Sequence, residues 1–294
     1  MRCKATATTA SAISCASSRV PRTIVGLAVG AALGLAGALI QALTRNPLAD
    51  PGILGVNAGA ACAIAIAIVV FDVESISGYV WFAGGGALLV TVAVYLIGAA
   101  GRGGVDPIRL TLAGVALGAV LMGITTAVMV SDAEVLHRMR VWNAGTLVNR
   151  DIDTLATIAP FLIFGLLIAA CVSGPLNAIA LGDDLAQSLG VSVIRTRVLV
   201  VLAVALLAGA ATAVAGPISF IGLMMPHVAR WIVGPDQRWI IAYTMVLTPA
   251  LLLAADVVGR IVMRPGEVPI GIISGLVGAP VLIALIRRRK ASGL

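Results

Sequence analysis

The chain alternates between long apolar runs and short breaks rich in polar residues, glycine and proline. A helix needs about 20 mainly apolar residues to cross a bilayer's hydrocarbon core. The runs predict spans at 23–43, 58–70, 78–100, 110–130, 155–173, 198–215, 239–258 and 270–286. The run at 58–70 is short for a span unless its helix extends at either end. Residues 132–154 form the most polar interior region and predict short interfacial helices, with Trp142 at headgroup depth. In the stretch 176–197 a short helix is predicted at 186–189. Residues 1–18 are rich in Ala, Ser and Thr and lack the continuous aliphatic core of a signal peptide or a span. They predict a disordered polar tail, and 19–294 a single membrane domain.

One apolar stretch does not fit a plain span. Residues 216–238 read GPISFIGLMMPHVARWIVGPDQR, with Pro217, Pro226 and Pro235 spaced along them. Proline lacks a backbone donor and clashes with the preceding turn, so the pattern predicts a broken-helix elbow. His227, Arg230 and Arg238 place polar chemistry in sequence too apolar for a solvent loop. The reading is an elbow at a membrane surface that touches another protein.

Composition supports the spans. The chain is 60% hydrophobic and 11% charged, with a mean hydropathy of +1.08, where a soluble domain carries roughly 25% charged residues. The net charge of +7 sits singly between spans and forms no basic stripe, which argues against nucleic acid as a partner. It reports orientation instead. With the C-terminus inside, eleven basic residues fall on the cytoplasmic side: Arg45, Arg102, Arg109, Arg195, Arg197, Arg230, Arg238 and the terminal cluster Arg287–Lys290. Five fall outside: Arg138, Arg140, Arg150, Arg260 and Arg264. This alternation requires the elbow to include a short membrane pass at 217–225, and it puts residues 1–22 outside.

Little in the sequence points to covalent chemistry. No GxxxxGKS or GxxxxGKT loop is present, so the chain has no P-loop for ATP. HExxH, GxSxG and metal-ligand spacings are also absent. His137 and His227 read as interfacial. The four cysteines are scattered, and Cys62 and Cys171 read as small core residues rather than a disulfide or metal framework. Asp183 and Asp184 read as a solvated helix start, where acids favour the positive end of the dipole. No predicted span carries an ionisable group at its centre, which weakens an ion-coupled transporter. The overlapping GxxxG spacings of Gly26, Gly30 and Gly34 favour close intramolecular helix packing over a dimer motif.

Several long motifs, taken together, are specific. RVPRTIVGLAVGAALGLAGALIQALTRNPLADPGILGVNAGA, LAGVALG, ALGDDLAQSLGV, GPISFIGLMMPHVAR, ADVVGR and EVPIGIISGLVGAPVLIALI closely resemble the FecCD-type permeases, membrane subunits of ABC importers for ferric siderophores, haem and vitamin B12. The resemblance covers residue 19 to the end. It implies an all-α polytopic bundle of the type II importer kind, with ten spans per subunit. Here about nine are counted, because a polar tail stands where the family has a helix before RVPR.

The resemblance also implies partners and site residues. The permease would be a homodimer or heterodimer, with two ATP-binding subunits inside and a substrate-binding protein outside. ATP and Mg would be held by the partner ATPase, with no cofactor in this chain. Phe220, Gly222, Pro226, His227 and Arg230 would contact the ATPase through coupling helices in the elbow. Arg19, Arg22 and Arg260 would pair with carboxylates of the binding protein; the plainer reading of each is a membrane-flanking anchor. Thr125, Thr126 and Ser131 would lie near the gate of the pathway, although small polar residues in spans often only bond their own backbone. The implied function is ATP-driven import of a ferric siderophore. The alternatives are haem or cobalamin import, an ion-coupled secondary transporter, or a truncated, non-functional permease.

Overall fold

The computed structural model describes residues 19–73, 75–100, 107–148, 152–263 and 266–291. The predicted tail at 1–18 lies outside the described residues. All regular structure among them is helical. In chain order the helices are α1 (Val20–Thr44), α2 (Val56–Phe71), α3 (Ile76–Ala99), α4 (Pro107–Ser131), α5 (Ala133–Asn143), α6 (Ile152–Ala180), α7 (Asp183–Ser188), α8 (Val193–Ala215), α9 (Ile221–Val233), α10 (Gln237–Val262) and α11 (Ile270–Ala291). A 3₁₀ turn at Pro51–Leu54 precedes α2.

Among the described residues, six helices are long and apolar enough to cross a membrane: α1, α3, α4, α6, α8 and α10. Three shorter apolar stretches, on α2, α9 and α11, bring the apolar helices to the nine spans read from the sequence. Most of each predicted span lies in a helix, and the helices run a few residues beyond it at one or both ends. The largest extension is α6, which continues through Pro160 and Pro175 to Ala180. Within a membrane bundle proline is tolerated, because neighbouring groups and local adjustments satisfy the freed carbonyls.

The centre of the bundle is α1 against α8 and α10. The most apolar windows of α1 and α8 are 72% and 78% buried, against 11% for α4. Small residues let α1 come this close. A Cβ on Gly30 would overlap the backbone of Pro249 in α10, and one on Gly34 would overlap Thr248. The GxxxG face therefore serves intramolecular packing.

Contacts sort the helix termini to two ends of the bundle. At one, α1 begins beside the end of α10 through Arg22 and Asp256, and Arg138 of α5 reaches the Val73 carbonyl beyond α2. At the other, Arg45 just beyond α1 meets Asp183 of α7, and Asn177 of α6 meets Asp236 at the start of α10. These are called the Arg22 end and the Arg45 end. Arg138 and Arg260 fall at the first; Arg45, Arg197 and Arg238 fall at the second. The positive-inside count had separated the same residues.

Trp142, predicted at headgroup level, packs inside the bundle. It is buried, and its carbonyl lies where a Cβ on Gly216 would sit. Cys62 is buried as predicted, but Cys171 is exposed on the outer face of α6.

Candidate coupling and docking sites

The elbow is a pass through the bundle rather than a surface loop. After α8, whose last carbonyl, Ala215, accepts from the Thr146 amide (2.7 Å), the chain has no regular structure at 216–219. It then turns at Phe220, with a φ of 68°, and α9 carries it to the Arg45 end. The membrane pass predicted at 217–225 continues to Val233. Pro226 lies inside α9 rather than breaking it.

The local chemistry explains why. Proline at 226 removes the amide that would have bonded the Gly222 carbonyl, four residues earlier. That carbonyl instead points at α1, where only glycine fits: any Cβ on Gly37 would overlap it. The adjacent Leu223 carbonyl accepts from Gln41 Nε2 (2.9 Å), also on α1. The elbow is thus docked on α1 by its own backbone.

This changes the exposure of the predicted coupling residues. Gly222, Pro226 and His227 are buried, and Phe220 and Arg230 are half-buried. The His227 ring lies edge-on to Trp231 at 4.9 Å. Only the last turn reaches the outside, through exposed Trp231 and Ile232. Arg230 lines a depression of ≈ 250 Å³ at the Arg45 end, with Gln41, Arg45, Ala180, Pro235 and Gln237.

Beside that depression lies α7. Its one buried residue, Ala186, packs with Ile179 of α6 and Val193 of α8. Leu181, Leu185 and Leu189, spaced four apart, are exposed. Asp183 is more than a solvated helix start: Oδ1 accepts from Arg45 Nη2 (2.5 Å) and Oδ2 from Arg197 Nη2 (2.7 Å). Next to it, Asn177 and α10 exchange bonds. Asn177 Nδ2 donates to Asp236 Oδ1 (2.7 Å), and the Gln237 amide donates to Asn177 Oδ1 (2.8 Å). The Asn177 bond, with that from the Arg238 amide, holds the Asp236 carboxyl below the ordinary carboxylate range.

At the Arg22 end the three docking arginines have different surroundings. Arg19 is exposed. Arg22 donates to Asp256 Oδ1 through Nε (3.1 Å) and Nη2 (2.5 Å) and pairs with Glu267 (2.7 Å). Arg260 pairs with the other Asp256 oxygen (2.7 Å). Asp256 is only 1% exposed at its side chain. Asp256 lies inside the span predicted at 239–258, and α10 continues past it to Val262. The helix thus carries an acid near one end, paired within the chain with Arg22 and Arg260.

On α4, the hydroxyls of Thr125, Thr126 and Ser131 donate to the carbonyls of Leu121, Met122 and Ala127, at 2.7 to 2.8 Å. Thr125 is buried, whereas Thr126 and Ser131 are exposed. Large apolar neighbours such as Val120, Met122 and Val130 are also exposed on this helix.

The described residues form a multi-pass helical bundle with an aspartate paired to arginines at each end. The chain belongs to the FecCD transport family, whose model matches residues 3–288. It is 50% identical over 276 residues to the ferric enterobactin transport system permease protein FepD of Escherichia coli, covering 94% of this chain and 82% of that protein. The Fe(3+)-citrate import system permease protein YfmD of Bacillus subtilis is 38% identical, with 92% and 80% covered. The hemin transport system permease protein HmuU of Yersinia pestis is 37% identical, with 92% and 82% covered. Among solved structures, an inward-facing metal-chelate type ABC transporter matches with a TM-score of 0.85 and 27% identity, over 93% of this chain and 88% of that one.

Proposed function

We propose that this chain is the membrane-spanning subunit of an ATP-driven importer of ferric siderophores, in which it forms the pathway and takes its energy from a separate ATPase. The observation that carries the cargo class is the 50% identity to FepD along 94% of the chain. The chain would work as a homodimer or heterodimer with two ATP-binding subunits, which hold ATP and Mg, and with an extracytoplasmic substrate-binding protein. It performs no covalent chemistry itself.

In this reading the Arg45 end and the C-terminus are cytoplasmic, supported by the excess of basic residues there. The ATPase seats on the exposed leucines of α7 and the last turn of α9, next to Arg230. Phe220, Gly222, Pro226 and His227 then carry the movement inward along α1 rather than touching the ATPase. At the Arg22 end, Arg19 and the part-exposed Arg260 present positive charge to carboxylates of the binding protein, while Arg22 braces the fold. Thr126 and Ser131 lie on the open face of α4, which would border the pathway; Thr125 lies just behind it.

The test is uptake in a strain lacking this permease, complemented with it and offered iron-labelled siderophores, ferric citrate and haem. ATP-driven siderophore import predicts that a ferric siderophore is taken up and that an ATPase-inactive partner subunit abolishes uptake. Uptake that survives the inactive partner and follows a proton gradient would mean a secondary transporter. Uptake of haem alone would reassign the cargo.

A further inference from the structure

We propose that Asp183 is a positioning residue that ties the short helix α7 to the ends of α1 and α8, so that a displacement of α7 is passed to the two most buried long helices of the bundle. The proposal rests on the reading above, in which the ATPase contacts α7.

Three independent features of α7 support it. First, the helix is bounded by Gly182 and Gly190, with φ of 122° and 79°. A Cβ at either would meet nothing within 4 Å. These glycines are not required for close packing; they supply backbone angles that other residues rarely adopt. Six residues of helix between two such positions form a unit that can tilt.

Second, the unit has a definite connection on one side. Both Asp183 oxygens are used, one by Arg45 just beyond α1 and one by Arg197 within α8. Arg197 is buried, and the pair lies only partly in solvent, where a charge-assisted bond is stronger and shorter than a neutral one. The two carboxylate oxygens each take one guanidinium, so a single charged side chain holds both arginines. Asparagine would keep one acceptor and turn an NH₂ group towards the other arginine.

Third, Arg45 stands in the left-handed conformation, with φ of 50° and ψ of 30°. At that helix-terminating position glycine or asparagine is the usual choice. An arginine there accepts backbone strain, which fits a side chain needed for its charge. Leu185 in the helix and Leu181 and Leu189 flanking it are exposed, alongside the exposed Asp184, Gln187 and Ser188. A partner that grips these leucines would move the helix against a fixed carboxylate bridge.

The test uses the assembled transporter in proteoliposomes, measuring substrate moved and ATP hydrolysed together. Asp183→Asn is expected to lower the number of substrates moved per ATP by roughly tenfold, within the range typical of coupling between sites, with hydrolysis largely retained. Asp183→Glu is expected to restore most of the ratio, and Asp184→Asn to leave it unchanged. A second measurement does not depend on transport: amide hydrogen exchange of the purified permease. Asp183→Asn should speed exchange across residues 183–191 while the interior of α1 stays protected. Unchanged exchange in α7, or uptake and hydrolysis falling in proportion, would overturn the tether. If the wild-type complex moved substrate without ATP, the importer reading would fail, and exchange alone would decide the tether.

Discussion

Each end of the bundle carries an aspartate shared by two arginines, yet the two clusters differ in setting. At the Arg22 end, Asp256 sits on a long helix with its side chain 1% exposed, and Arg22 comes from a position 234 residues earlier. At the Arg45 end, Asp183 has its side chain 34% exposed and sits on a six-residue helix between glycines. The same chemistry does two jobs. A buried pair between long helices closes the fold, because either partner left alone is an uncompensated charge. A half-exposed pair on a hinged helix costs less to strain, so it can pass on movement.

The sharpest way to break this contrast is to remove one partner at each end. Arg22→Met removes one of two partners of the buried Asp256, with Arg260 remaining, and should destabilise the fold by about 3 kcal/mol, the low end of the range for a broken buried pair. A large drop in melting temperature and in membrane accumulation is the predicted result. Equal loss from Arg45→Met would erase the distinction between the two ends.

Next in size is Gly37→Val, which forces a side chain against the Gly222 carbonyl. Overpacking of this kind costs typically about 1–3 kcal/mol, and it should loosen α9 selectively, seen as faster amide exchange across residues 221–233. A smaller effect is expected at Asp236, which caps α10 at the Arg45 end. Its carboxyl is held below the ordinary range, so its stabilisation is complete at neutral pH and is lost as pH falls through that depressed value. Asp236→Ala should therefore lower the melting temperature modestly at neutral pH, with the difference from wild type closing in acid. The smallest effect is Thr126→Val, whose hydroxyl bonds only the Met122 carbonyl of its own helix in this structure. Unchanged stability is predicted; a clear loss of uptake in that variant would give the hydroxyl a role in the pathway.

What the sequence made legible follows from local pattern. Apolar runs of spanning length fixed the helices to within a few residues at most ends, and isolated basic residues sorted the loops to two ends as the structure does. The family motifs were equally readable because they are continuous stretches. The illegible parts depend on partners distant in the chain. Pro226 looked like a break because nothing local shows that Gly37 and Gln41 would receive the adjoining carbonyls. Asp256 fell inside a predicted span, and nothing local shows that Arg22, at the other end of the sequence, would pair with it. Asp183 looked like an ordinary helix start for the same reason, with Arg45 138 residues away.

The orientation and the ATPase surface meet in one measurement: site-directed crosslinking of the permease to its ATPase. Cys3, Cys15, Cys62 and Cys171 are first replaced by serine, and single cysteines are then placed at Leu185 on α7 and at His137 on α5. The account predicts that Leu185→Cys crosslinks to the ATPase in the assembled complex, with a yield that changes on ATP binding, and that His137→Cys does not. Crosslinking through His137→Cys with none through Leu185→Cys would invert the bundle in the membrane and contradict the account.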